Sequence, residues 1–157
     1  MKPASIQEIK EALRPLPPSR LTEVCLRLAK FKKDNKELLT YLLFEASDEA
    51  AFIRAVKNEM DEGFAELPKP NLYLTKKTLR RILRSTTKQI RYMASPQAEA
   101  DILTHFCRKV RETRIPLRES PVLNNLFHQQ LKKIRAIIAT LHEDLQYDLL
   151  RDLKSLE

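Results

Sequence analysis

A chain of 157 residues with one glycine, no tryptophan and 43% apolar residues is long enough for one domain with a real core, and too apolar for wholesale disorder. Phosphate-cradling loops, dinucleotide fingerprints and nucleophile elbows each need glycines at fixed spacing, so the solitary Gly63 excludes all three. The net charge of +8 is unevenly placed: residues 1–44 carry nine basic and five acidic groups, residues 45–66 carry two and seven, and residues 67–98 carry eight and none.

The first 13 residues mix Lys2, Glu8, Lys10 and Glu11 with apolar side chains, unlike the continuous apolar run of a secretion signal. No later stretch reaches the ~20 apolar residues of a membrane span, so the expected setting is the cytoplasm, away from membranes. Ser5-x-x-Glu8 is a capping box, in which the two side chains satisfy each other's free backbone donors at a helix start. It opens a short helix from Ile6 to about Leu13, which Pro15, Pro17 and Pro18 end.

A second helix is predicted from about Ser19 to Lys33, with Leu21, Val24, Cys25, Leu28 and Phe31 at helical spacing. Asp34-x-x-Glu37 has the same capping logic and starts a third, whose residues Leu38, Leu39, Tyr41, Leu42, Leu43 and Phe44 are apolar nearly all round. Such a helix is normally surrounded by others, so it is expected at the centre of the fold. Ser47 or Asp48 caps a fourth helix with Phe52, Val56, Met60 and Phe64 as its apolar stripe, and Gly63 suits a C-terminal cap near its end.

Leu67 to Asn71 is a predicted loop, followed by a basic helix over about Leu72 to Ala94. Ser95-Pro96 and Ser120-Pro121 each pair an N-cap with proline at the first helical position. They start a sixth helix, running to about Thr113 with Ile102, Leu103, Phe106 and Val110 inward, and a final stretch from Val122 to about Leu156. As one helix that stretch would be about 50 Å long. Thr140-x-x-Glu143 marks an alternative break near His142; without it, residues 142–157 form a projecting C-terminal helix.

No Asn-Gly or Asp-Gly turn and no sustained alternation signals a strand. The expected fold is a single all-α domain over residues 1–157 with six to eight helices. It is either a bundle or a short two-layer stack of HEAT or armadillo type. The likeness of Leu38–Phe44 to Ile102–Arg108 favours the stack if it is a true repeat, although apolar helices resemble one another by composition alone.

The stretches Lys36–Ala46 and Thr140–Asp148 resemble an uncharacterised family of small helical bacterial proteins. The resemblance covers most of the chain. It implies a compact helical domain and brings no activity, cofactor or site residue with it.

The basic helix is the strongest candidate site. At 100° per residue, Lys76, Lys77, Arg80, Arg81, Arg84, Lys88 and Arg91 fall within an arc of roughly 140°. Leu72, Leu79, Ile82, Leu83, Ile90 and Met93 lie opposite. Three readings compete for this stripe. It is matched internally by Glu59, Asp61, Glu62 and Glu66 of the preceding helix or is simply solvated; it neutralises nucleic-acid phosphates; or it meets an anionic membrane or acidic protein surface. Tyr73 and Tyr92 flank it and could stack on bases.

Metal and catalytic constellations are not expected. His105, His128 and His142 form no i, i+4 pair, His105 and Cys107 point to different helix faces, and no histidine lies three residues after a glutamate. On this reading the protein is no enzyme and needs no cofactor or metal. The leading expectation is a helical scaffold or protein-interaction module, with nucleic-acid binding through the stripe as the alternative. The C-terminal helix adds a further partner surface: Leu131, Ile134, Ile138, Leu141 and Leu145 step by three and four, the seam spacing of helix pairing, and suit self-association.

Overall fold

The computed structural model describes residues 1–68 and 71–156, and over these it is helical without a strand. Eight α-helices succeed one another: α1 Ile6–Leu13, α2 Pro18–Phe31, α3 Lys33–Thr40, α4 Glu49–Ala65, α5 Leu72–Met93, α6 Pro96–Glu112, α7 Pro121–Ile138 and α8 Glu143–Lys154. A π-helical turn, Tyr41–Glu45, follows α3, and a 3-10 turn, Leu117–Glu119, precedes α7. The protein is thus all-α, with the number of helices expected. Of the predicted loop at Leu67–Asn71, Lys69 and Pro70 lie outside the described residues.

Most helix starts follow the local chemistry. The Ser5 N–H donates to Glu8 Oε2 at 2.7 Å and the Glu8 N–H to Ser5 Oγ at 3.3 Å, completing the capping box. The Ser5 N–H, then its hydroxyl, hold the Glu8 carboxyl below its usual range. Asp48, Asn71, Ser95 and Ser120 each accept a backbone N–H in the first turn of α4, α5, α6 and α7. The expected cap at Asp34 is not used. Lys32, in extended backbone, precedes α3 without a side-chain cap, and Asn35 Nδ2 instead donates to the Leu28 carbonyl at 2.9 Å.

The contacts gather into two compact units, residues 1–44 and residues 45–157. In the first, α2 packs against α3, and the one buried residue is Tyr41. Leu42, Leu43 and Phe44 are 55%, 65% and 73% exposed. The segment expected at the centre of the fold therefore lies at its surface. Three short helices in about 40 residues bury too small a fraction of their area to enclose any one of them. Cys25, expected on an apolar face, is likewise exposed.

In the second unit the central helix is α6. It packs against α4, α5, α7 and α8, whereas α4 pairs with α5 and α7 with α8. Ala98 and Ala100 let neighbours approach closely, and Ile102, Leu103, Phe106, Cys107 and Val110 are at most 1% exposed. Thr104, also buried, donates to the Ala100 carbonyl at 2.7 Å, so its hydroxyl is satisfied within the helix. Phe106 meets Phe64 of α4 with ring centroids 5.5 Å apart, and Phe127 of α7 is fully buried with the Arg111 guanidinium 4.7 Å above its ring.

The chain breaks after α7, and His142 rather than Thr140 caps α8: its Nδ1 accepts the Asp144 N–H at 3.4 Å. Helix α8 folds back against α6 and α7, burying Leu153 and Leu156. Arg111 Nε donates to the Leu156 carbonyl at 2.9 Å and fixes that end.

Gly63 is not a cap. It lies inside α4 with no positive φ. A Cβ there would come within 2.8 Å of Ile82 Cγ1 on α5. The glycine is spent on a close crossing of two helices, its other use besides left-handed backbone. The left-handed positions fall instead to Ala94, which ends α5 with φ 49°, and to Arg114 with φ 51°.

Candidate nucleic-acid interface

Helix α5 is built from two opposed faces. Thr75, Leu79, Ile82, Thr86, Ile90 and Met93 are buried, and all fall on the side away from the cationic arc. Burial of that face against α4 and α6 orients the helix. The cations are left on the outer side: Lys77, Arg80, Arg81, Arg84 and Arg91 are exposed and Lys76 and Lys88 half-buried. From Lys76 to Arg91 the stripe runs about 22 Å along the helix axis.

The acidic groups of α4 leave most of the stripe uncovered. Glu66 Oε2 reaches Arg81 Nη2 at 3.3 Å. Glu59 instead accepts from two neutral donors of α5, Ser85 Oγ at 2.6 Å and Gln89 Nε2 at 2.7 Å. Asp61 turns toward α6, where its Oδ1 lies 2.7 Å from His105 Nε2 and 3.8 Å from Lys109 Nζ. Among the described residues, no carboxylate pairs with Arg80, Arg84 or Arg91. The like charges of Arg80 and Arg84, at i, i+4, therefore stand unrelieved, at a cost of about 0.2–0.5 kcal/mol.

Tyr73, one of the two aromatic residues expected to stack on bases, is already engaged. Lys76 Nζ and Lys77 Nζ lie 5.2 Å and 4.8 Å from its ring centroid. Tyr92 is half-buried. Alongside the stripe, between α4 and α5, runs a groove of about 320 Å³ lined by Glu59, Glu62, Glu66, Gly63, Arg81 and Ser85 among others. The outer surface of α5 is thus a convex cationic ridge with an acidic channel on one flank.

The other sequence candidates do not assemble into a chemical site. Cys107 is buried, and burial pushes its thiol up to about 12 against the opposing pull of Arg111; at neutral pH it is protonated and a poor nucleophile. His128 is exposed and meets the edge of Phe127. Among the described residues no group of three or more His, Cys, Asp or Glu is placed to hold a metal ion. The seam predicted for self-association is occupied internally at Leu131, Ile134 and Ile138, all buried, while Leu141 and Leu145 are half-buried. The Asp61–His105–Lys109 network had no sequence signal, because its members lie on two helices that only folding brings together. No helix among the described residues is long and apolar enough to cross a membrane. No family model, curated protein or solved structure matches this chain.

Proposed function

We propose that the protein is a non-enzymatic helical module that binds nucleic acid through the outer face of α5. The observation that carries this reading is the cationic stripe: seven cations share one helix face, and among the described residues Arg80, Arg84 and Arg91 meet no carboxylate. Unrelieved repulsion along a stable helix costs folding free energy, and an external polyanion supplies the missing counter-charge. The test is a gel shift at low salt with wild type and with Arg80→Glu/Arg84→Glu/Arg91→Glu, three positions without an ion pair among the described residues. Loss of binding supports the reading; unchanged binding sinks it.

A second reading, recognition of a protein partner, draws on residues 1–44. Of the fourteen exposed large apolar side chains among the described residues, ten lie there. Exposed apolar surface on this scale favours an interaction role. Co-purification of the full chain and of a Leu42→Ser/Leu43→Ser/Phe44→Ser variant tests it: a partner lost with the variant supports the second reading.

A further inference from the structure

Resting on the nucleic-acid reading above, we infer that the ligand of α5 is a DNA double helix, held by its phosphate backbone, and not a single strand. Three features of the ridge favour a duplex.

The first is the lack of a series of stacking platforms. Single-strand binders combine a basic groove with aromatic rings on which successive bases lie. On the cationic arc the one aromatic ring is that of Tyr73, and Lys76 and Lys77 lie against it. Apart from Tyr73 and the seven cations, the arc carries only Thr87. One exposed ring at one end of the ridge gives successive bases no row of platforms to stack on.

The second is shape and sign. A flexible strand gains most by lying in a channel, and the channel beside α5 sets three carboxylates, Glu59, Glu62 and Glu66, against the single cation Arg81. Phosphates threaded through it would meet carboxylates. The cations stand on the convex side of the helix, which suits a ligand that is itself grooved.

The third is the spacing. The stripe is a straight rod of about 22 Å, and its 140° arc has two margins, with Lys76 and Arg80 toward one and Lys77, Arg81 and Lys88 toward the other. The major groove of B-form DNA, about 12 Å wide, admits an α-helix and presents phosphates along both rims. Each margin can then serve one strand. A rigid duplex keeps its phosphates in register with this rod, whereas a single strand pays ordering entropy to follow it.

The experiment is fluorescence anisotropy of the full chain with three labelled probes at 50 mM salt: a 20-base-pair DNA duplex, a 20-base-pair RNA duplex and a 20-nucleotide oligothymidine. The DNA duplex is expected to bind ten-fold or more tighter than the oligothymidine, and tighter than the RNA duplex, whose major groove is deep and narrow. Arg80→Glu/Arg84→Glu/Arg91→Glu is expected to weaken duplex binding at least 30-fold, with circular dichroism showing an unchanged helix content. A milder variant, Arg84→Gln, is expected to weaken it two- to five-fold and covers the case in which the triple variant does not fold. Oligothymidine or the RNA duplex bound as tightly as the DNA duplex, or more tightly, overturns this inference and leaves nucleic-acid binding standing. No measurable binding to any of the three probes overturns both.

Discussion

Helices α5 and α6 are neighbours in one unit, both amphipathic and both rich in charge, yet their charges have opposite fates. On α6 every charged side chain finds a partner. Glu99 pairs with Lys133 and Asp101 with Lys57, each at 2.7 Å; Arg108 lies 4.0 Å from Asp152; Lys109 meets Asp61 and Glu112; and Arg111 holds the Leu156 carbonyl. On α5, Arg80, Arg84 and Arg91 have no such partner among the described residues, while Arg81 meets Glu66 at the end of α4. A helix packed on four sides must have its charges matched by the helices around it. A helix packed on one face can carry charge that the fold does not use. The first pattern is what structure demands, and the second is where binding is to be sought.

Substitutions sharpen this contrast. The largest effect belongs to the α6 core: Phe106→Ala removes a fully buried ring and should cost about 3–5 kcal/mol, read as a lower midpoint in urea unfolding. Gly63→Ala comes next. The new methyl must displace Ile82, at a typical cost of about 1–3 kcal/mol, while the gain in helix propensity returns about 1 kcal/mol. The net is a destabilisation that Ile82→Val should partly relieve.

Asp61→Ala should cost about 1 kcal/mol, because it leaves both His105 and Lys109 without their shared acceptor. The smallest effect is expected on the ridge. Arg84→Gln should leave stability within about 0.5 kcal/mol of wild type, and the shift should be toward greater stability, since the like-charge pair with Arg80 is relieved. A marked destabilisation there would mean that the stripe is used by the fold after all, and the contrast between the two helices would fail.

Much of the fold was legible in the sequence because its signals are local. Ser5, Asp48, Ser95 and Ser120 announce helix starts through bonds to residues three positions away, and those bonds form. The buried face of α5 was legible for the same reason, since its period is a property of one helix. What lay beyond reach depends on neighbours. Leu42, Leu43 and Phe44 look like core, but residues 1–44 supply too few helices to enclose them. The role of α6 came from its position between two helix pairs, which its own pattern does not encode. Gly63 could have served as cap or crossing, and only the approach of Ile82 decides between them. Whether the acids of α4 covered the stripe was a question of rotation about a helix axis. The first-turn cap at Asp48 and the stripe through Met60 set that rotation, and they turn Asp61 toward α6.

The central claim is that the outer face of α5 meets phosphates. Its most direct test is the salt dependence of duplex binding for wild type and for Arg80→Ala/Arg84→Ala/Arg91→Ala. If five of the seven cations contact phosphates, the plot of log affinity against log salt should fall with a slope of about −4.5, and removing three contacts should flatten it to about −1.8. A wild-type slope near zero, or the same steep slope in both proteins, would contradict the account.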